Sequence, residues 1–540
     1  VLGSTSLTVD QDGDTTFSGA LEGTGEFTKT GTGDLKLTGD SPDYTGEASV
    51  DGGILSVNGN YENATFTVNT GGTLGGNGTL GEVTVSGGTF APGNSIDTIN
   101  VAGDLVFTAA SIYEVEVTAD GQSDRTNVTG TATLGGATVS VLAANGRYSG
   151  QTDYTILTAA GGLNGTFGTV TSNLAFLTPT LTYTGNDVTL TLTRNNVDFA
   201  SAGLNLNQQN VGAALQSLGA GNAVFEEVLL LTDNGAQTGF QSASGELYPA
   251  VSAALVETNQ TLRRQLLQAP ASATSGFFAW GAGIGSFGSA DATAATTSLK
   301  TRNVGGMAGI GFGGSGFDVR AGVGALDNTI EQNGTANGSS RFVAGQIGFG
   351  PLGSISANVG ASYTWHELDT QRTANVGVIG NGLTANYDAR SFMAYGELDL
   401  LFPLGSLSVG PTGGLTYIKT DVDGFSEAGG ALALSATDTS REVTFGTLGV
   451  KLEGNGAMVR PTASAKWRHA WGGRASTASL AFVGSNSFTA YGPAIDKDAA
   501  ELQLGLELGN GPVTASAGYS GIMGSDWEDH SAQVSIQIVF

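Results

Sequence analysis

The chain has no cysteine, which excludes disulfide bonds, thiol chemistry and cysteine-based zinc sites. Charged residues are also scarce, at 13% of the chain, and basic residues are the scarcer kind. The 21 Lys and Arg stand against 48 Asp and Glu, for a net charge of −27. Because nucleic-acid binding requires a basic surface, this balance argues against nucleic acid as a partner, and we expect none.

Long hydrophobic runs are missing as well. The most apolar short segment, residues 224–231, is interrupted by Glu226 and Glu227, and no apolar run long enough to span a bilayer occurs. The sequence therefore predicts no transmembrane helix. The chain begins at Val1 with neither a Met nor a signal peptide, so we expect any export signal to have been removed or to lie outside this chain.

Glycine, by contrast, is abundant, at 86 of the 540 residues. Within residues 1–196, glycine pairs at 52–53, 71–72 and 87–88 recur at nearly even intervals, separated by short alternating Thr/Val-rich runs. This spacing is typical of successive rungs of a right-handed parallel β-helix. A β-sandwich gives similar local signals and stays open as an alternative.

From residue 197 to 269 the composition becomes rich in Ala, Leu, Gln and Glu, and the period becomes helical. Apolar positions at three- and four-residue steps include Leu247, Val251, Leu255 and Leu262. Ser244 suits the N-cap, and Arg263 and Arg264 suit the helix C-terminus. About 25 helical residues give about 37 Å, enough to run through a membrane-spanning barrel. A packed helical hairpin between two domains is the alternative.

Beyond residue 276, strand-like runs of roughly ten residues or more alternate with turns. Twelve runs begin near Phe277, Arg302, Gly316, Ser339, Gly353, Asn386, Gly405, Arg441, Ala457, Ala499, Val513 and His530. Closure of an even number of such strands satisfies every backbone hydrogen bond in lipid. The sequence therefore predicts a 12-stranded antiparallel transmembrane β-barrel.

The turns of this segment alternate in length. They are tight at 313–315, 351–352 and 403–404, and long at 288–301, 368–385, 420–440 and 473–498. Short periplasmic turns and long extracellular loops give this asymmetry. The aromatic residues expected at the two membrane interfaces are Trp280, Trp365, Trp467, Trp471 and Tyr519.

The last run ends the chain on an aromatic residue. Val534, Ile536, Ile538 and Phe540 alternate with Ser535, Gln537 and Val539. Such alternation predicts a strand with one apolar face and one mostly polar face. The closing strand of an outer-membrane barrel has these two faces, since it shows lipid on one side and a hydrated lumen on the other.

Several segments together resemble a classical monomeric autotransporter (type V secretion). Residues 25–47 and 50–59 resemble the passenger-associated repeat, and residues 76–96 resemble the β-helical stem of a passenger. Residues 100–194 resemble the autochaperone region, and residues 240–267 resemble the pre-barrel helix. The segments that look like the family's barrel signatures are 278–288, 387–390, 424–430, 467–472 and 481–499.

The resemblance implies a β-helical passenger over 1–99, its autochaperone-like end over 100–196, a helical linker over 197–241, a plug helix in the barrel lumen over 242–269 and an outer-membrane barrel over 270–540. The implied plug residues are Glu246, Leu247, Val251, Leu255, Glu257, Leu262 and Arg263. The implied C-terminal assembly signal is Val534, Ile536, Ile538 and Phe540. Outer-membrane lipid, the barrel-assembly machinery, periplasmic chaperones and an unknown extracellular ligand are the expected partners of a monomer.

Catalytic and metal-binding residue types are sparse. The three histidines, His366, His469 and His530, all lie in the predicted barrel, which excludes a Ser-His-Asp site within residues 1–196. Asp10, Asp12 and Asp14 begin like a calcium loop, but Thr15 replaces the required Gly and Leu21 the bidentate Glu. We therefore predict no catalytic residues, no metal and no cofactor.

Two further sets of polar residues carry hypotheses. Some members of this family cut their linker after an Asn inside the barrel, and Asn195–Asn196 is the candidate here. The pair lies well before the predicted plug helix, so a loop at the end of the β-helix is the alternative. His469, Arg468 and Arg390 are expected to point inward, toward Glu246 or Glu257 on the plug.

The predicted function is that of an outer-membrane autotransporter which exports its own β-helical passenger and anchors it at the cell surface. The passenger is expected to be adhesive or otherwise surface-interacting, and not an enzyme. Two alternatives stay open. One is a porin-like channel with a periplasmic N-terminal domain, and the other is a carrier of an enzymatic passenger located upstream of residue 1.

Overall fold

The computed structural model describes residues 2–144, 146, 148–268, 276–456, 458–509 and 511–540. The chain divides into two compact units. The first consists of residues up to Asp198 together with Phe225–Gln237, and the second of Phe199–Val224 together with Thr238–Phe540.

The first unit is built mainly of short parallel strands. They are β1 Leu7–Asp10, β2 Thr15–Phe17, β3 Phe27–Thr30, β4 Asp34–Leu37, β5 Glu47–Val50, β6 Gly53–Val57, β7 Asn60–Asn69, β8 Gly72–Gly76, β9 Thr79–Ser86, β10 Thr89–Pro92, β11 Thr98–Val101, β12 Leu105–Phe107, β13 Ile112–Val117, β14 Arg125–Val128, β15 Ala132–Thr133, β16 Thr138–Ala143, β17 Gln151–Ala159, β18 Leu163–Asn164, β19 Val170–Ser172, β20 Leu177–Tyr183 and β21 Asp187–Arg194. From β1 to β11 the odd-numbered strands pair in one parallel sheet, and from β2 to β10 the even-numbered strands pair in another. The predicted parallel β-helix is confirmed.

Successive rungs of the β-helix stack in close register. Leu7 pairs with Phe27, and Phe27 pairs with Ala48, so each rung is one short solenoid repeat. The inward side chains form a continuous apolar core. Four of its rings pack together with centroids 5.6–6.2 Å apart, namely Phe90, Phe107, Tyr113 and Phe167. The stacking ends where β21 pairs antiparallel with β17 and β20.

The acidic residues near the start of the β-helix bind backbone of the next rung. Asp12 Oδ1 accepts from the N–H of Thr32 at 3.1 Å, and Asp14 Oδ1 accepts from the N–H of Asp34 at 2.9 Å. The hydrogen bonds from Thr32 lower the pKa of Asp12. Among the described residues, no group of three or more His, Cys, Asp or Glu is placed to hold a metal ion.

Asp124 is a buried carboxyl group of the β-helix, and it makes the unit sensitive to pH. The residue is 1% exposed, and burial raises its pKa from 3.8 to about 7, although the N–H groups of Glu116 and Asp97 donate to it. Because the folded state favours the protonated carboxyl, Asp124 stabilises the fold fully below about pH 4. This contribution to the free energy of unfolding is lost as the pH rises through about 7. We expect the free energy of unfolding of this unit to fall by about 1.4 kcal/mol between pH 5 and pH 6.

Hydrogen exchange of β-helix peptides at several pH values, corrected for intrinsic exchange, measures this effect in the solubilised chain. Asp124→Asn places an uncharged group at the site and should remove the pH dependence. Asp120→Asn, at an exposed position on the neighbouring turn, should leave it unchanged. Equal pH dependence in the wild type and Asp124→Asn would contradict the assignment.

Helices connect the β-helix to the following strands along the chain. They are a 3₁₀ turn at Phe199–Ala202, α1 Leu206–Gln216, α2 Ala223–Val228, α3 Asp233–Ala243 and α4 Leu247–Leu267. The side chain of Asn205 caps α1 by accepting from the N–H of Gln208. No helix in the described residues is long and apolar enough to cross a membrane.

Helix α4 is shorter than expected. Gly245 adopts φ of +65°, which separates α3 from α4, so the helix begins at Leu247 and not at residue 242. Ser244 does not cap it, since its buried Oγ has no hydrogen-bond partner. The 21 residues rise about 31 Å. Residues 269–275, where the predicted plug ends and the predicted barrel segment begins, lie outside the described residues.

The remaining strands belong to the second unit. They are β22 Gly276–Ala290, β23 Leu299–Gly314, β24 Phe317–Glu331, β25 Thr335–Leu352, β26 Ile355–Val376, β27 Ile379–Leu400, β28 Phe402–Leu404, β29 Leu407–Val422, β30 Phe425–Ser426, β31 Leu434–Ala436, β32 Thr439–Gly454, β33 Val459–Gly472, β34 Ser476–Phe482, β35 Phe488–Gly492, β36 Asp498–Leu508, β37 Val513–Met523 and β38 Trp527–Val539. Strands β30, β31, β34 and β35 form a separate small sheet, and the short β28 pairs with β29 beside the end of β27. The other twelve strands pair antiparallel in a ring closed by β22–β38 and β27–β29. The predicted 12-stranded barrel is confirmed.

The two ends of the barrel differ, as the turn lengths predict. The turn end carries the tight turns at 315–316, 353–354 and 405–406, and the loop end carries the segments 423–438 and 473–497. One expected long loop, 368–385, is wrong. There β26 and β27 continue as a hairpin, because the alternation of inward side chains persists through Leu368, Thr370 and Arg372, each at most 4% exposed.

Candidate functional site

Helix α4 lies inside the barrel. Every residue from Leu247 to Leu266 is buried, including the expected plug residues Val251, Leu255, Glu257, Leu262 and Arg263. The helix contacts barrel strands β23, β24, β25, β27 and β29 as well as β34 and β35 of the small sheet. Near its start, Tyr248 packs on Phe425 at the loop end, with ring centroids 4.1 Å apart. The chain then continues to β22, which starts at the turn end, so α4 runs from the loop end toward the turn end.

Buried ion pairs attach α4 to the lumen wall. The pairs are Arg263 with Glu501, Arg264 with Asp529 and Glu257 with Arg468. The guanidinium of Arg468 donates two hydrogen bonds to the Glu257 carboxylate, at 2.9 and 3.1 Å. All six side chains are at most 5% exposed. A buried charge is tolerated only when it is paired and hydrogen-bonded, so these contacts fix the position of the helix.

Further polar groups on the wall complete these pairs. Ser286 Oγ donates to Asp529 at 2.6 Å. Lys466 Nζ donates to Glu397 at 2.5 Å and lies 3.8 Å from Glu501. Each of these carboxylates therefore has a cationic or hydroxyl partner on the wall. Sequence reasoning missed Glu501, Asp529 and Glu397, because their partners are remote in the chain.

A second cluster holds the start of α4 at the loop end. Glu427, in the segment 423–438, accepts from Arg372 Nε and Nη2 at 2.6 and 2.7 Å and also from the Tyr248 hydroxyl. Its Oε2 also accepts from the N–H of Leu434 at 2.7 Å. This carboxylate therefore joins α4, the wall strand β26 and a loop in one network. Glu246 contacts Thr297, whose Oγ1 donates to it at 2.5 Å.

The linker helix α1 docks on the small sheet. The side-chain amide of Asn207 donates to the carbonyl of Tyr491 at 2.9 Å and accepts from its N–H at 2.8 Å, as an adjacent strand would do. Asn210 Nδ2 donates to the Thr489 carbonyl at 2.7 Å. Both contacts provide hydrogen-bond partners for backbone groups of β35, which is an edge strand of that sheet.

A series of hydrogen bonds links inward side chains of neighbouring strands along the lumen side of the wall. It comprises Asn303, Asn328, Ser340, His366, Ser391 and Thr420. Thr258 of α4 meets it at Asn303, 3.4 Å away. His366 lies between Ser340 and Ser391 at 2.6 and 3.0 Å, and no carboxylate in the described part of the chain contacts its ring. One uncharged polar residue at an inward position of each strand is the sequence signal that could have located this series.

The expected inward cluster is only partly correct. Arg468 binds Glu257, as predicted, but the neighbouring His469 cannot face the same side of a strand. The His469 ring lies between Trp467 and Trp471 and contacts Asp498 at 2.6 Å. Arg390 is on the outside of the barrel with its side chain 51% exposed, paired with Asp423 at 3.2 Å. Glu246 contacts none of these three residues.

The aromatic residues divide between the two faces of the wall. Trp365, Trp467 and Trp471 are about half exposed on the outside, as expected for interfacial residues. Trp280 is only 5% exposed, so its assignment to the interface is wrong. It faces the lumen with Phe278, because its strand register places even-numbered residues inward there. The Tyr519 hydroxyl contacts His530 at 2.7 Å.

The C-terminal strand β38 closes the ring between β22 and β37. Val534, Ile536 and Ile538 face outward, with exposures of 65, 48 and 40%, while Gln533, Ser535 and Gln537 are buried on the lumen side. Phe540 follows the strand with 80% exposure, and its N–H donates to the Phe277 carbonyl at 2.8 Å.

Asn195 follows the last strand of the β-helix. Its N–H donates to the Phe176 carbonyl at 3.0 Å, and its Oδ1 accepts from the N–H of Val197 at 3.2 Å. Both partners belong to the first unit. Cleavage between Asn195 and Asn196 stays a prediction.

Comparison with known proteins places the barrel in a family. Residues 279–520 match the family model of the autotransporter beta-domain. A solved structure with similarity is the translocator domain of autotransporter NalP from Neisseria meningitidis, which is 19% identical with a TM-score of 0.45. The match covers 55% of this chain and 100% of that chain.

Two curated relatives extend the similarity to nearly the whole chain. Both are extracellular serine proteases of Serratia marcescens, 27% and 26% identical over 96% of this chain and 56% of their own length. The chain thus spans about half the length of these relatives. These relatives contradict the prediction that the protein is not an enzyme. The lack of histidine in residues 1–196 excludes a Ser-His-Asp site only within those residues.

Proposed function

This chain is an outer-membrane autotransporter, and from that premise we propose that its barrel carries the β-helical segment across the membrane and then anchors it at the cell surface. The barrel lies in the outer membrane. The autotransporter beta-domain, residues 279–520, makes up most of this barrel.

The direction of α4 is the observation that carries this proposal. The helix starts at the loop end, and long loops mark the extracellular side of an outer-membrane barrel. The chain N-terminal to α4 therefore leaves the lumen on the extracellular side. The β-helix precedes α4 in sequence, so it is the segment exported. Its repeating rungs allow it to fold outside the cell one rung at a time.

A porin-like channel fits the lumen poorly. The helix and its ion pairs occupy the space through which solutes would pass, and every residue from Leu247 to Leu266 is buried. We therefore expect the intact chain to conduct ions weakly in a planar bilayer.

For assembly, we propose that the barrel-assembly machinery reads the terminal strand, with Val534, Ile536, Ile538 and Phe540 as its signal, and that periplasmic chaperones deliver the unfolded chain. Replacing Phe540 with alanine should slow assembly several-fold in cells. The folded barrel should still close, since the Phe540 N–H that donates to the Phe277 carbonyl is a backbone group and is kept.

Pulse-labelling, with heat-modifiable migration as the readout of folding, measures the assembly rate in cells. Urea titration of the purified barrel measures its stability. Phe317→Ala, at an outward ring that is 41% exposed, is the matched control and should assemble at the normal rate. Normal assembly of Phe540→Ala would contradict the proposed signal.

The activity of the exported protein is a separate proposal. The two serine protease relatives favour a proteolytic passenger. Incubating cells that display the complete protein with a protein substrate tests it, with and without an organophosphate that modifies reactive serines. Inhibitor-sensitive hydrolysis supports the protease, whereas adhesion to a surface without hydrolysis would favour the adhesive passenger that the sequence predicts.

Protease shaving of intact cells tests export itself. One antibody recognises residues 1–196 and a second recognises the barrel. Loss of the first signal with survival of a fragment spanning approximately positions 240–540 supports export with α4 protected in the lumen. If the first signal resists the protease until the outer membrane is permeabilised, the segment is periplasmic and the proposal fails.

A further inference from the structure

Two arginines flank a tryptophan on the outside of the barrel. Trp365 pairs directly with Arg341 on one neighbouring strand and with Arg390 on the other. The three side chains are 47–66% exposed and face outward. Each guanidinium has one exposed carboxylate partner, Glu367 at 3.0 Å and Asp423 at 3.2 Å.

Directly below this row, toward the turn end, lies an apolar depression that we name the outer groove. Its lining includes Ala308, Ala321, Gly345, Ala361, Tyr363 and Phe392, and its volume is about 660 Å³. The small residues form its floor, because Ala321, Gly345 and Ala361 pair side by side on β24, β25 and β26. A contiguous depression of about 860 Å³ reaches Arg341 and Trp365.

The heights of the arginine row and of the outer groove along the barrel match the interface and the hydrocarbon of one membrane leaflet. Strand β25 carries Arg341 eleven positions before Leu352 at the turn end, which corresponds to roughly 28 Å along the membrane normal for a tilted strand. The apolar band of such barrels is about 25 Å tall. The arginine row therefore lies at the outer interface, and the outer groove lies in the hydrocarbon of the outer leaflet.

The chemistry of the two parts is complementary to one class of lipid. Guanidinium groups bind phosphate through paired N–H donors, and exposed ion pairs such as Arg341–Glu367 are weak enough for a phosphate to join or replace the carboxylate. The outer groove spans β23 to β27, about 19 Å at the usual strand spacing. That width takes several acyl chains side by side.

We propose that the outer groove, together with Arg341 and Arg390, is a specific site for an outer-leaflet lipid with a phosphorylated headgroup and several acyl chains. The lipid lays its chains over the small residues and its phosphate between the two guanidiniums, beside Trp365. The carboxylates Glu367 and Asp423 lie farther from the groove than the two arginines, and Lys419, which pairs with Phe392 across β27 and β29, adds a third outward cation beside the groove. This site does not depend on what the barrel exports.

Native mass spectrometry of the full chain in detergent tests the site. The probe is a phosphorylated, multiply acylated glucosamine disaccharide, compared with its dephosphorylated form and with a two-chain phospholipid. We expect one retained probe lipid per chain, bound roughly tenfold more weakly by the double variant Arg341→Ala/Arg390→Ala and by the groove-filling Ala361→Phe.

Matched substitutions elsewhere on the outer face separate a site from the general lipid layer. Arg302→Ala removes an outward arginine at another position, and Ala517→Phe enlarges an outward alanine on β37. Both should retain the probe normally, and heat-modifiable migration confirms folding of every variant. The proposal is overturned if all variants retain the probe as well as the wild type does, or if the two controls lose it as the site variants do. It is also overturned if the dephosphorylated form binds as well as the phosphorylated probe.

Discussion

Replacing Arg468 with alanine is expected to detach part of α4 from the lumen wall and to open the barrel to ions. The substitution leaves the Glu257 carboxylate, which is 4% exposed, buried without a counter-charge. Breaking one partner of a buried pair costs about 3–5 kcal/mol. The guanidinium also lies over the Phe445 ring at 4.9 Å, a contact that the variant loses.

The expected consequence is a rise in open-lumen events by on the order of a hundredfold or more, as such a free-energy change implies. Conductance of the intact chain in planar bilayers measures these events, and protease cleavage within α4 reports exposure of the helix. Arg263 and Arg264 keep their own partners, so the variant still folds as a barrel.

Two controls define the cause. Arg390→Ala breaks an exposed pair and should change stability by less than about 1 kcal/mol, with conductance unchanged. The double variant Glu257→Leu/Arg468→Leu removes both buried charges together and should restore a closed lumen in large part. Unchanged conductance of Arg468→Ala would show that this pair does not hold the helix.

A second large effect is expected from a charge on the lipid-facing wall. Leu415 lies near the middle of β29, and its side chain is 63% exposed on the outside of the barrel. Leu415→Arg places a guanidinium inside the apolar band of the barrel and should destabilise the membrane-inserted barrel by about 2 kcal/mol. Urea titration of the barrel in lipid vesicles, followed by heat-modifiable migration, measures the loss.

Leu404→Arg is the matched control. Leu404 is 66% exposed, as much as Leu415, but it lies at the turn end, where the membrane meets water. The same substitution there should cost about 0–1 kcal/mol. Equal destabilisation at both positions would contradict the depth assigned to the wall.

The residue contacts of the lumen could be predicted only in part. That α4 is a buried helix with polar partners follows from its composition beside a barrel of alternating strands. The pairing of Glu257 with Arg468 was one of several combinations that the sequence allowed. The partners of Arg263, Arg264 and Arg372 were not predicted, because each lies on a different element that is remote along the chain.

The predictions that are wrong concern positions where a local sequence pattern is compatible with two different structures. The faces on which Trp280 and His469 lie depend on the register of their strands, and a shift of one residue exchanges the two faces. The alternation of short and long turns predicts a loop at 368–385, where the structure has a continuous hairpin of β26 and β27. In the closed lumen the inward polar residues of this hairpin bind other polar groups, as Arg372 binds Glu427.

The sequence by itself determined a segment of short repeated strands, a helical segment and a closed barrel, because the repeat, the helical period and the strand alternation are local properties of the chain. The choice of a β-helix over a β-sandwich needed the parallel strand pairing that the structure shows. The alternation in β38 was enough to predict which of its residues face outward. Only the tertiary structure decided which carboxylate binds which arginine and how two loops form a small sheet that contacts α4. It also decided where outward residues of neighbouring strands form the outer groove. Those features depend on the register between strands that are remote in sequence, and no local pattern encodes that register.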